Sequence, residues 1–255
     1  MQAGMETTEG MRQLIAGNWK MNGRRADAAA LVASLREGAG ALGVELVVCP
    51  PATLVAGVAA ALEGSAVGVG GQDCHTAASG AYTGDVSAPM LHDAGARWVI
   101  VGHSERRLAY GESNVLVRDK ADAAARAGLV PIVCVGETEQ QRLTGAAETV
   151  VAAQVDGSLP PGFAGVVAYE QIWAIGTGRS AGDADIVEMH RCIRNQLVST
   201  LGAAGEAVRI LYGGSVKPEG AAAILRLEGV GGALVGGASL SATDFLAIAR
   251  AAAPA

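Results

Sequence analysis

Eight short apolar runs, spread along almost the whole chain, limit what this sequence can fold into more than any other feature. They are LIAG at 14–17, ELVVC at 45–49, VGVGG at 67–71, WVIVG at 98–102, PIVCVG at 131–136, GVVAY at 165–169, VRILY at 208–212 and GALVG at 232–236. Runs of this length without polar alternation suit strands buried on both faces. Helical periodicity fills the intervals. Ala28, Leu31, Val32 and Leu35 fall at i, i+3, i+4 and i+7, which marks one buried helix face. Leu54, Val55, Val58, Ala59 and Leu62 mark a second, Leu143, Ala147, Val150 and Val151 a third, and Ile186, Met189, Ile193 and Leu197 a fourth. Ser241 and Asp244 have capping-box spacing ahead of the final helix.

Eight strand–helix units in 255 residues match a single-domain (β/α)8 barrel, for which about 250 residues is typical. The competing α/β fold, a doubly wound open sheet, usually brings a nucleotide fingerprint. GVGGQD lacks the third glycine in place, GTGRSAG has the wrong spacing, and there is no Walker A sequence. No linker, low-complexity stretch or charge block divides the chain. The expected organisation is a disordered tail over 1–11, with Met11 a second candidate start, and a barrel over 12–255.

Half of the residues are hydrophobic, 17% are charged and the net charge is −6, which argues against a general nucleic-acid surface but leaves room for a local positive pocket. Cys49, Cys74, Cys134 and Cys192 lie far apart with no CxxC pair, so they read as reduced, packed thiols. No apolar run approaches the roughly 18 residues of a membrane helix. The opening MQAGMETTEGM has neither the basic start nor the apolar centre of a secretory signal. The expected compartment is the cytoplasm. No metal-ligand spacing such as HExxH occurs, and neither metal nor cofactor is expected.

In a barrel the C-terminal ends of the strands converge on one face, so chemistry is sought just after each run. Asn18, Trp19 and Lys20 follow the first, His103, Ser104 and Glu105 the fourth, and Glu170 the sixth. Gly213, Gly214 and Ser215 follow the seventh, and Gly236, Gly237, Ala238 and Ser239 the eighth. Singly, each has a plainer reading. Glu170 could be a helix cap or an ion-pair partner, His103 a packed core histidine, Lys20 a solvated charge, and the glycines simple turns. Together they are a base, an imidazole, an ammonium and two glycine-rich turns, the parts an aldose–ketose isomerisation requires. Beyond Glu170, the loop IWAIGTG has glycines and a threonine able to fold over an anion.

With these residues assembled, the chain resembles the triosephosphate isomerase family from about Ile15 to the last helix. The resemblance is carried by NWKMN (18–22), SGAYTGDVSAPML (79–91), VGHSERR (101–107), CVGET (134–138), AYEQIWAIGTG (168–178), YGGSVKP (212–218) and ALVGGASL (233–240). It implies interconversion of dihydroxyacetone phosphate and D-glyceraldehyde 3-phosphate through an enediolate. Glu170 is then the base that moves the proton, His103 a neutral electrophile, and Lys20 the fixed cation with Asn18 beside it. Gly176, Ser215, Gly236 and Gly237 are implied to bind the phosphate. Trp173, Ala174, Ile175, Gly176, Thr177 and Gly178 are implied to form a lid. These roles belong to the family, which is the usual illustration of them, and come to this chain with the resemblance.

The family also implies a homodimer, with Thr83 and Asp85 on a segment that contacts the partner. A four-carbon ketose phosphate isomerase and a non-catalytic phosphate-sugar-binding barrel are the alternative readings. One departure bears on mechanism. The family usually has proline after the glutamate, and Gln171 stands there instead. Proline fixes φ, so glutamine is expected to leave this hinge freer.

Overall fold

Every one of the eight apolar runs forms a strand, because each sits where both of its faces meet other side chains. In the computed structural model these are β1 (Leu14–Asn18), β2 (Glu45–Cys49), β3 (Val67–Gly71), β4 (Trp98–Val101), β5 (Val130–Val135), β6 (Val166–Tyr169), β7 (Arg209–Tyr212) and β8 (Gly232–Val235). The structure describes residues 12–40, 42–172 and 182–253. The tail expected over 1–11 and the lid expected over 173–178 lie outside the described residues.

The strands pair in parallel in sequence order, and β8 closes on β1 with Leu14 beside Gly232 and Gly17 beside Val235. Successive side chains alternate between two cores. Leu14, Ala16, Val47, Cys49, Ile100, Ile132, Cys134, Ala168, Leu211 and Leu234 pack together inside the barrel. Ile15, Val48, Val99, Val133, Val167 and Ile210 point outward and join the helix faces in a second, larger cluster. This double burial is why the strands carry no polar alternation.

The helices complete that outer layer. Helix α1 (Arg25–Gly38) buries Ala28, Val32 and Leu35, and leaves Leu31 half-buried. Leu54, Val55, Val58 and Leu62 are buried by a 3-10 turn (Ala52–Leu54) leading into α2 (Val55–Ala61). After α3 (Ala88–Asp93) come α4 (Ser104–Tyr110) and α5 (Asn114–Arg126). The third expected face is divided between two helices, α6 (Glu139–Leu143) and α7 (Ala147–Ser158). Gly145 lies between them at φ 73°, a backbone conformation that ends a right-handed helix, and Leu143 is left 77% exposed. Helix α8 (Asp183–Leu201) buries Ile186, Met189, Ile193 and Leu197 as its spacing predicts. Full burial of such side chains is worth about 1.5–3 kcal/mol each. Helix α9 (Pro218–Leu225) and α10 (Ala242–Ala252) follow, and the Ser241 side chain accepts from the Asp244 N–H at 3.3 Å to cap the last. No helix among the described residues is long and apolar enough to cross a membrane.

The rim formed by the strand C-termini is held most tightly around Glu170. Its N–H donates to the Val135 carbonyl at 2.7 Å, and the Gly213 N–H donates to the Tyr169 carbonyl at 2.7 Å. On the β5 side, Gly136 lies so close that a methyl group there would overlap the Glu170 carbonyl oxygen. Since the opposing atoms are backbone, they can yield only by moving Glu170. Gly136→Ala is therefore expected to cost about 1–3 kcal/mol of stability and to lower activity in step. Urea denaturation and an activity assay on the same preparation check this, and an unchanged midpoint contradicts it.

Candidate active site

The ends of β1 and β4 bring a cation to the rim. Asn18 closes β1, and its side-chain oxygen accepts from the Lys20 N–H at 2.9 Å. Lys20 has φ 52°, and no other non-glycine residue described has a positive value. Such a backbone costs of order 1–3 kcal/mol and persists only where its surroundings impose it. Gln72, just past β3, imposes it from below by donating to the Lys20 carbonyl at 2.8 Å and the Cys49 carbonyl at 2.9 Å. The Lys20 ammonium then meets a Glu105 carboxylate oxygen at 2.6 Å. With Glu105 56% exposed, that pair adds little stability, about 0–1 kcal/mol. Its effect is to aim the ammonium.

His103 caps the N-terminus of α4, where its Nδ1 accepts from the Glu105 N–H at 3.3 Å. An accepting Nδ1 carries no proton, which leaves Nε2 as the donor. Nε2 lies 2.8 Å from Glu170 Oε1. Ser104 holds the same carboxylate twice, through its N–H to Oε2 at 2.8 Å and its hydroxyl to Oε1 at 3.0 Å. Glu170 is thus buried with its charge answered by three donors.

A cavity of about 600 Å³ opens above these groups. Asn18, Lys20, His103 and Glu170 line one part, and Gly213, Gly214, Ser215, Gly236 and Gly237 line another. An imidazole, a carboxylate and an ammonium therefore face the same space as two glycine turns able to present backbone N–H groups to an anion. Gly176 and the rest of 173–178 lie outside the described residues. Thr83 and Asp85 lie elsewhere, on an exposed stretch after β3.

Three contributors carry no role in the sequence reading. Ser104 and Glu105 are neighbours of His103, and their part was legible only as the first turn of a helix whose free N–H groups face the rim. Gln72 had no signal beyond following a strand. Gln171, of which a freer hinge is expected, is tied into the fold by its side chain. Its side chain is fully buried and accepts from the Tyr212 hydroxyl at 2.9 Å.

The triosephosphate isomerase family model matches residues 13–252. A triosephosphate isomerase of Granulibacter bethesdensis is 59% identical over 249 residues, covering 95% of this chain and all of the relative. One from Afipia carboxidovorans is 58% identical over 246 residues, covering 94% and 98%. The crystal structure of triosephosphate isomerase from Bartonella henselae superposes with a TM-score of 0.89 at 44% identity, covering 94% of this chain and 99% of that one.

The electrostatics of the site turn on the His103–Glu170 pair. Burial is the largest influence on Glu170 and would raise its pKa, but the His103 charge and the His103 and Ser104 hydrogen bonds outweigh it and bring the value below the ordinary 4.5. Burial likewise would lower His103, and the facing Glu170 charge and hydrogen bond, with Glu105, raise it above 6.5 against Lys20. The depressed Glu170 contributes stability present above pH 4.5 and lost as pH falls through its folded value. The raised His103 contributes stability present below pH 6.5 and lost as pH rises through its folded value. The pair stabilises the fold most between these limits, about pH 4.5 to 6.5. Removing the carboxylate leaves only burial, Lys20 and the helix N-terminus against the partly exposed Glu105. In Glu170→Gln, His103 is therefore expected to titrate below 6.5 instead of above it. Imidazole NMR titration of both proteins measures this, and an unmoved His103 would show that Glu170 does not control it.

Proposed function

The chain belongs to the triosephosphate isomerase family, and from that footing we propose that Glu170, His103, Lys20 and Asn18 carry its reaction at the cavity above the barrel. The enzyme interconverts dihydroxyacetone phosphate and D-glyceraldehyde 3-phosphate, and family membership sets aside the four-carbon and non-catalytic readings. The reaction moves one proton between adjacent carbons and a second between their oxygens. It has no net redox change, so it draws on no external electron carrier.

The observation that carries the assignment of roles is the shared 2.8 Å contact of Glu170 with His103 Nε2. In the free enzyme the base and the electrophile satisfy each other. A substrate entering between them takes both, with the carboxylate turning to the carbon-bound proton while the Nε2–H turns to the carbonyl oxygen. Glu170 removes the proton from one carbon and returns it to the next. With Glu170 turned away, His103 loses the facing charge that raises it, and the helix N-terminus favours the neutral imidazole, which stabilises the enediolate oxygens through Nε2–H. Lys20, aimed by Glu105 and seated beside Asn18, supplies the positive charge for the oxyanion and the phosphate. Ser215, Gly236 and Gly237 bind the phosphate through a hydroxyl and backbone N–H groups, on the turns after β7 and β8.

Two further features support a homodimer. Residues 79–85 are exposed yet internally braced, with the His75 ring 3.9 Å from that of Tyr82 and the Asp85 N–H donating to the Tyr82 carbonyl at 3.1 Å. Beside the proposed catalytic lysine, Met21 is 95% exposed, an apolar surface suited to cover by a second copy. Thr83 and Asp85 are assigned to that contact. The four cysteines are all unpaired, which fits a reducing compartment and supports a cytoplasmic location.

Two outcomes are expected. In a coupled assay on D-glyceraldehyde 3-phosphate, Glu170→Gln lowers turnover by about 10²–10⁴-fold, the usual worth of a positioned general base; activity within tenfold of the parent removes Glu170 from that role. Light scattering finds twice the chain mass, and Thr83→Arg shifts it toward one chain with loss of activity. A monomeric parent with full activity contradicts the dimer.

A further inference from the structure

Gln171 directly follows Glu170, and its side chain adds a second link between two parts of the site that the backbone joins through the Gly213 N–H and the Tyr169 carbonyl. Its Oε1 accepts from the Tyr212 hydroxyl at 2.9 Å. Tyr212 ends β7, immediately before the Gly213–Gly214–Ser215 turn that lines the cavity. The hydroxyl lies directly against that turn, since a methyl group on Gly214 would overlap it. Burial pushes the Tyr212 phenol up to about 12, with the Glu137 charge acting in the same direction, so it remains a donor at neutral pH.

The other end of the amide distinguishes this contact from ordinary packing. Gln171 Nε2 is buried and makes no hydrogen bond among the described residues, although it lies near enough to the Tyr169 hydroxyl to favour that phenol's ionised form. A buried donor without an acceptor destabilises a fold, and a methionine would fill the same space without that loss. What glutamine supplies and methionine cannot is the acceptor for Tyr212.

We propose that Gln171 is a positioning residue that registers the phosphate-binding turn against the base: its amide oxygen holds Tyr212 under Gly214, so the turn after β7 and the peptide carrying Glu170 keep one relative placement. The inference rests on the proposed roles of Glu170 and of that turn. Loss of the bond leaves the backbone link alone to set both ends, and both are placed less well. The base then meets the substrate carbon less often, and the turn binds phosphate less well. A role in packing alone changes stability and leaves these two quantities where they are.

The test is a double-mutant cycle of Gln171→Met and Tyr212→Phe, read by kcat and by the affinity for inorganic phosphate in a ³¹P NMR titration. Gln171→Met is expected to lower kcat about tenfold and to weaken phosphate binding several-fold in the parent, and to add no further loss once Tyr212 is Phe. Equal losses in both backgrounds, or parental kcat and phosphate affinity in Gln171→Met, overturn the proposal. Should Gln171→Met fail to fold, Tyr212→Phe alone decides, because kcat and phosphate affinity must then fall together and a change in only one overturns the link. Glu170→Gln run alongside keeps the two assignments separable. It should lower turnover by about 10²–10⁴-fold and preserve phosphate binding, and if it retained turnover the base would be wrong while the phosphate half of the cycle still reported on Gln171.

Discussion

The parallel pairing of β8 back onto β1, from Leu14 beside Gly232 to Gly17 beside Val235, leaves no free sheet edge and brings every strand's last residue onto one rim. Asn18, His103, Glu170, Gly213 and Gly236 come from strand ends scattered over most of the chain, yet they surround one cavity. Closure also makes the rim stiff. Backbone bonds on both sides of β6 hold the peptide at Glu170, and the tight approach of Gly136 leaves it little room to shift.

A rim that stiff can carry groups that would be costly elsewhere. An unpaired carboxylate buried like Glu170 would take up a proton. Here one imidazole N–H, one backbone N–H and one hydroxyl keep it ionised. Each donor is lent by α4, whose N-terminus stands at the end of β4. At the same helix start His103 Nδ1 faces the Glu105 N–H. Base and electrophile thus set each other's protonation states at one helix start, and a substrate that separates them changes both at once.

The site also departs from the most stable arrangement available to the chain. Lys20 sits in the left-handed backbone region, and Gln171 buries an amide nitrogen that has no hydrogen-bond acceptor within bonding distance among the described residues. Neither is explained by packing, and both adjoin the groups assigned to chemistry. Local rules are commonly broken where geometry serves a reaction, with the surrounding fold offsetting the loss. The two large cores, one inside the barrel and one beneath the helices, are what offset it here.

The apolar runs alone were enough to define the eight strands to within a residue or two, since burial on both faces leaves no other pattern for them to follow. The faces of α1 and α8 were equally legible because a 3.6-residue period records which side meets the core. The division between α6 and α7 was not, since periodicity is blind to a single glycine that turns the chain within a continuous helical spacing. At the site, residue types at strand ends pointed to Glu170, His103, Lys20 and Asn18. The parts played by Ser104, Gln72 and Gln171 were decided only by tertiary structure. Their partners stand 66, 52 and 41 positions away along the chain, and no local pattern encodes a hydrogen bond that exists only once the barrel has closed.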